Sequence, residues 1–114
     1  MSKRRDVFGA LADPTRRAIL DLLRSQTSLT AGQIASRFPL VSRAAVSKHL
    51  GVLRQARLVK ARELGREWHY TLDPKPLAEV YREWLSSFAP LWEESLERLR
   101  GQVEGAREAP NSEK

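Results

Sequence analysis

Pro39 divides a stretch of helical periodicity, and the residues on either side of it carry the hydrogen-bonding signals of helix ends. Upstream, Thr30 and Gln33 have the spacing of a capping box, in which the hydroxyl and the amide each satisfy a backbone N–H that a helix start leaves unpaired. They open a short helix, AGQIASRF, with Ile34, Ala35 and Phe38 facing inward. Pro39 stops it, because its ring disfavours helical geometry in the residue before it. After Leu40 and Val41, Ser42 is a good N-cap for a second, longer helix that runs to about residues 54–56, with Val46, Leu50 and Leu53 as its buried stripe. Two capped helices joined by so tight a turn leave few ways for the chain to close a core.

The flanking segments narrow the choice further. Val7, Phe8 and Leu11 lie on one face of a first helix. Asp13 caps the next, with Pro14 at the first helical position, where its missing N–H costs nothing. Ala18, Ile19, Leu22 and Leu23 form the stripe expected to be buried, with Arg16, Arg17, Asp21 and Arg24 pointing elsewhere. Beyond the longer helix, residues 58–64 and 67–72 alternate in polarity around Gly65 and Arg66. In the second stretch Trp68, Tyr70 and Leu72 share one face and Glu67, His69 and Thr71 the other. This predicts a two-stranded hairpin with one wet side, closed by Asp73 and Pro74. Residues 75–103 return to helical periodicity, and Pro90 predicts a kink or break near residues 86–89. The expected fold is mainly α with a two-stranded β-hairpin wing, a winged helix-turn-helix. Its domain covers residues 1–104, and 105–114, with no apolar anchor, forms a disordered tail.

Charge points to the partner. The net charge is +6, but residues 1–72 hold 14 Lys/Arg against 5 Asp/Glu, whereas residues 73–114 hold 6 against 9. A basic front half is the electrostatic footprint of a protein that neutralises phosphates and releases their counterions. On the helix after Ser42, the face opposite the apolar stripe carries Arg43, Ala44, Ser47 and Lys48, at i, i+1, i+4 and i+5. With Ser42 at its start, this N-terminal half is the part of such a helix that meets base edges in a major groove. Arg43 can fork to guanine O6 and N7, Ala44 offers an apolar contact such as one to a thymine methyl, and Ser47 and Lys48 reach bases or phosphates. Arg62 and Arg66 flank the hairpin tip and, as a wing, supply charge to phosphates or the minor groove. Arg37, Arg54, Arg57 and Lys60 read as general backbone contacts or plain surface. The expected partner is double-stranded DNA; a winged helix used for protein or RNA contact is the alternative, against which the cationic Arg43 and Lys48 argue.

The stretches ALADPTRRAILDLL (residues 10–23), LTAGQIASRF (29–38), SRAAVSKHLGVLRQARLV (42–59) and GREWHYTLDP (65–74) resemble the ArsR-type transcriptional regulators, over roughly residues 5–100. The resemblance implies a winged-helix homodimer that acts on a palindromic operator, possibly its own, with base contacts from the positions of Arg43, Ala44, Ser47 and Lys48. It also implies dimerisation through the first helix, here Phe8 and Leu11, and the last. Soft-metal sensing in the family uses cysteines, and a second family site uses Asp and His on the last helix. This chain has no cysteine, and its two histidines, His49 and His69, lie outside residues 75–103. The glutamates Glu79, Glu83, Glu93 and Glu94 read as a solvated helix face. No metal and no cofactor is therefore expected, and the chain resembles the metal-independent, autorepressor-like branch, in which WLSSFAPLWEESLERL (84–99) is the rear helix. No effector is named by the sequence.

The rear segment supplies the dimerisation surface. Leu77, Tyr81, Trp84, Phe88, Leu91 and Ser95 are spaced by alternating steps of four and three, the period of a helix–helix seam, and Leu85, Trp92, Leu96 and Leu99 form a second stripe. A chain this small cannot cover both stripes alone, which favours an isologous dimer. No apolar run approaches the roughly 20 residues that span a bilayer, and the start MSKRRDVFG has no signal-peptide core, so no membrane partner and a cytoplasmic location are expected. Without a cysteine nucleophile, a histidine beside an Asp/Ser pair or a phosphate-cradling Gly loop, the chain does not read as an enzyme.

Overall fold

Asp13 and Pro14 set the corner from which the rest of the fold grows. In a computed structural model describing the backbone of residues 2–113 and the side chains of residues 4–105, helix α1 covers Ser2–Leu11 and α2 covers Pro14–Ser25. The Asp13 carboxylate accepts from the Arg16 backbone N–H at 3.1 Å, with Pro14 in the first helical turn. The same corner closes the end of α1. Arg16 Nε donates to the Ala10 carbonyl at 2.8 Å, its Nη2 to Gly9 at 3.0 Å, and Arg17 Nη1 to Leu11 at 2.7 Å. Three carbonyls at the C-terminus of α1 are thus met by two guanidinium groups, Gly9 also accepting from the Ala12 N–H at 3.2 Å, and the charge complements the negative end of the helix dipole.

The chain continues through β1 (Leu29–Thr30), α3 (Ala31–Ser36), α4 (Arg43–Gln55), β2 (Val59–Leu64), β3 (Glu67–Leu72) and α5 (Lys75–Glu83). A 3-10 turn at Leu85–Phe88 then leads into α6 (Ala89–Glu113). The capping box is formed as the spacing predicts: the Thr30 hydroxyl accepts from the Gln33 N–H at 3.1 Å and the Gln33 amide oxygen from the Thr30 N–H at 2.9 Å. Ser42 caps α4 by accepting from the Ala45 N–H at 3.0 Å. The strands make one antiparallel sheet in the order β1-β3-β2, with Leu29 opposite Tyr70 and Val59 opposite Leu72. The hairpin is the predicted one, but β1 adds a third strand. Two residues are too few to show a period in sequence, and Thr30 is at once strand end and helix cap.

By contacts the chain falls into two compact units, Met1–Glu79 and Val80–Lys114. In the first, Val7 and Ala10 of α1, Ile19, Leu20 and Leu23 of α2, Leu29, Ile34, and Val46, Leu50 and Leu53 of α4 are buried together with Ala56, Leu58 and Val59. The α4 stripe is as predicted, whereas in α2 Leu20 is buried and Ala18 and Leu22 are only half-covered. α2 packs on β3 as well as on α1 and α4, so its covered arc is rotated from the one the sequence suggests. In the second unit the 3-10 turn lies at the predicted break, and Pro90 sits in the first turn of α6, where no intrahelical N–H is required of it. The helical backbone of α6 runs on to Glu113, past residue 105, where the sequence suggests that a tail starts; the side chains of 106–114 lie outside the described residues.

The end of α4 is built by a Schellman motif. The Leu58 N–H donates to the Leu53 carbonyl at 3.0 Å and the Arg57 N–H to Arg54 at 3.0 Å, while Leu53 and Leu58 are both fully buried. The motif requires a left-handed residue, and here it is Arg57, at φ 65°. A side chain in that conformation costs about 1–2 kcal/mol, part of which glycine would return as unfolded-chain entropy. Arg57→Gly is therefore expected to stabilise the chain by about 0.5–1 kcal/mol, read as a higher denaturation midpoint at unchanged m-value.

A second prediction concerns acid. The Arg16 backbone N–H holds the Asp13 carboxyl below the usual carboxylate range, against an opposing effect of burial, with the charge of His49, the Thr15 backbone N–H and the charge of Arg16 adding to the lowering. Because the folded-state value is depressed, its contribution is present at neutral pH and is lost as pH falls below about 4. Asp13→Asn keeps a capping oxygen but not the charge, so its melting temperature should fall less steeply with acid than that of the parent.

Candidate nucleic-acid interface

Helix α4 is divided lengthwise by burial. Val46, Leu50 and Leu53 are 0–1% exposed, whereas Arg43, Ala44, Ser47 and Lys48, on the opposite side, are all exposed, as is the capping Ser42. The five residues singled out from the sequence therefore share one solvent-facing surface at the N-terminal half of one helix. The Ser42 hydroxyl is engaged by the Ala45 N–H, so its part in that surface is to start the helix at the right residue. With the positive end of the helix dipole and two cationic side chains, this surface attracts anions and offers donors to acceptors.

The hairpin projects a second charged element, in which Arg62 and Arg66 alternate with Glu63 and Glu67. Every residue from 62 to 68 is exposed, Arg62 and Arg66 among them. The turn has Leu64 opposite Glu67, with Gly65 at φ 64° as its first loop residue, a conformation that a residue without Cβ adopts without strain. Alternation appears only in β2, where Val59 is buried and Ala61 half-covered between exposed Lys60 and Arg62. In β3 the predicted wet side is not wet, since His69 and Thr71 are half-covered like Tyr70 and Leu72, because β1 and β2 flank it on both edges. Trp68, farther out on the face of Tyr70 and Leu72, is 40% exposed, and its ring lies 5.2 Å from the Arg54 guanidinium at the end of α4. This cation–π contact ties the hairpin to α4, and Arg54 is thus more than the plain surface its sequence context suggests.

A second tie joins α4 to the α1–α2 corner. His49 is half-buried; its Nδ1 lies 3.2 Å from Arg16 Nη1 and its Nε2 3.9 Å from Asp13 Oδ2. Sequence spacing marks His49 only as flanking the core stripe, because its partners are 33 and 36 residues away along the chain. His69 is also half-covered, by pairing opposite Thr30 of β1, and its Nε2 is 3.8 Å from Glu67.

The residues expected at a dimer surface divide between the units. In the first, Phe8 is exposed and Leu11 and Leu77 are half-buried. In the second, Tyr81, Trp84, Phe88 and Leu91 are exposed, Leu91 by 69%, and Trp92 is half-buried. Leu85, Leu96, Leu99 and Val103 are exposed too. Trp84 and Phe88 meet edge to face, with ring centres 5.2 Å apart. The single seam counted from Leu77 to Ser95 needs correcting, because the 3-10 turn changes the angle per residue between α5 and α6. The stripe continuous on α6 is Trp92, Leu96, Leu99 and Val103.

Among the described residues, no three or more His, Cys, Asp or Glu side chains gather as a metal site, and no helix is long and apolar enough to cross a membrane.

Comparison with known proteins gives this surface a context. Residues 11–62 match the family model described as a helix-turn-helix domain. The chain is 39% identical over 83 residues to the transcriptional repressor SdpR of Bacillus subtilis, covering 73% of this chain and 89% of that protein. It is 52% identical over 71 residues to the HTH-type transcriptional regulator Rv2034 of Mycobacterium tuberculosis, covering 62% of this chain and 64% of that one. Among solved structures, an ArsR-like transcriptional regulator from Rhodococcus sp. RHA1 superposes with a TM-score of 0.70 at 33% identity, over 91% of this chain and 93% of the other.

Proposed function

This chain belongs to the ArsR-type winged helix-turn-helix transcriptional regulators, DNA-binding proteins and not enzymes, and on that premise we propose that it represses transcription as a homodimer seated on a palindromic operator, possibly its own. The observation that carries this reading is the lengthwise division of α4, which buries Val46, Leu50 and Leu53 and leaves Arg43, Ala44, Ser47 and Lys48 free to enter a major groove. Arg43 forks to a guanine, Ala44 packs on a methyl-bearing base edge, and Ser47 and Lys48 reach bases or phosphates. Arg62 and Arg66 on the wing hold the flanking backbone, which positions the protein without reading sequence.

One reading helix spans too few base pairs for a unique site, and a two-fold partner doubles the site and makes it palindromic. The exposed apolar surface of the second unit supports that partner: Leu91, Leu96, Leu99 and Val103 together are more than a monomer leaves in water without reason. Phe8, Leu11, Leu77, Tyr81, Trp84, Phe88, Leu91 and Trp92 supply the interface in this proposal. Two reading helices must then stand about 34 Å apart to meet successive major grooves, so an effector that alters the dimer geometry releases the operator.

Two experiments test the proposal. In gel shifts with the region upstream of its own gene, Arg43→Ala should cost about 1–3 kcal/mol and relax specificity at one base pair, and Arg66→Ala should weaken all sequences alike and lower the salt slope by about one. Both variants binding like the parent would remove the assignment of the reading face. In sedimentation equilibrium the parent should be a dimer, and the double change Leu96→Glu, Leu99→Glu should give folded monomers with weakened operator binding. A monomeric parent that still binds a palindrome tightly would refute the dimer.

A further inference from the structure

We propose that His49 is a positioning residue for operator binding: by accepting a hydrogen bond from Arg16, its imidazole fastens the reading helix to the corner that caps α1. The inference rests on α4 being the DNA-contacting helix. Its starting point is how fully the Arg16 guanidinium is committed. Nε donates to Ala10, Nη2 to Gly9 and Nη1 lies 3.2 Å from His49 Nδ1. A planar fork held at two points by the backbone of α1 has no freedom to follow a shift of α4. The third donor is therefore a fixed point against which α4 is set.

The need for such a point follows from how the rest of α4 is held. Val46, Leu50 and Leu53 are kept in place by apolar burial, which decides the side of α4 that faces inward but is not directional, so a hydrogen bond adds a finer limit on small slides and turns of the helix. A rotation of α4 about its own axis is the movement that would misdirect Arg43, Ser47 and Lys48 in a groove. His49 follows Lys48 directly, so its hydrogen bond holds that angle within the same turn of helix that carries the cation.

The bond also defines a protonation state. A guanidinium only donates, so Nδ1 carries the lone pair and the ring proton is on Nε2, facing the Asp13 carboxylate at 3.9 Å. The charged groups facing the ring are Arg16 and Asp13, both at the α1–α2 corner; α1 itself contributes backbone carbonyls there. A side chain that offers an acceptor at that point can take the place of the imidazole and one that offers none cannot, so rescue by an isosteric acceptor is the signature of the positioning role.

The test uses a duplex selected from random sequence by the parent protein, with binding followed by fluorescence anisotropy at constant salt. His49→Asn puts an amide oxygen in the place of Nδ1 and does not titrate; His49→Ala removes the acceptor. At about pH 7.5, His49→Ala should bind about ten-fold more weakly while His49→Asn stays within about three-fold of the parent. If His49→Ala proves unfolded by circular dichroism, His49→Leu, which keeps the bulk and lacks the acceptor, takes its place. Normal binding by folded His49→Ala alongside weakened Arg43→Ala would overturn this inference alone, as would His49→Asn binding as weakly as the variant without an acceptor. Arg43→Ala binding like the parent would overturn the reading of α4 and the inference with it.

Discussion

The burial of one side of α4 is the contact on which the remainder of the first unit is assembled. α1, α2, α3 and β2 all pack against this helix, and Val46, Leu50 and Leu53 are removed from solvent almost completely. At about 2–5 kcal/mol for truncation of a buried leucine to alanine, the stripe represents a large share of a small domain's net stability. Because a helix has only one apolar side to spend in this way, the same contact leaves Arg43, Ala44, Ser47 and Lys48 outside. Core and exposed polar face are two consequences of one periodicity.

Apolar burial alone does not aim a helix, and directional bonds at both of its ends and along its length complete the task. Ser42 sets the first turn, the Schellman motif at Leu53, Arg54, Arg57 and Leu58 ends the last, and the chain then enters β2 directly. The wing is thereby placed by the way the reading helix terminates, and the Arg54–Trp68 contact adds a side-chain tie between the two. At the other side, Arg16 and His49 join α4 to α1 and α2. Helix and hairpin are thus held to each other by neighbouring bonds of the same short segment.

The second unit has the opposite character. Its aromatic pair, Trp84 and Phe88, and the stripe along α6 leave large apolar side chains exposed. In the proposed homodimer this exposure is the source of association, and the cost of leaving it uncovered makes assembly a condition for DNA binding. Repression then depends on the geometry of a pair, which is where an effector has leverage.

Local chemistry was legible in the sequence. The Thr30–Gln33 box, Asp13 with Pro14, Ser42, the break before Pro90 and the Gly65 turn each depend on atoms within a few residues of one another, and all formed where their spacing predicts. The split of α4 into buried and exposed faces, with the residues proposed to read DNA, followed from the 3.6-residue period in the same way. Other features came from distant segments brought together. β1 became a strand only because β3 was there to pair with it, Leu20 was buried because β3 covered another side of α2, and Arg54 and His49 found Trp68 and Arg16 through folding. The sequence by itself determined which residues cap, turn and alternate, since those interactions are local. Only the tertiary structure decided which polar side chains would hold the reading helix in place, since a side chain's partner across the core is set by three-dimensional proximity and leaves no period along the chain.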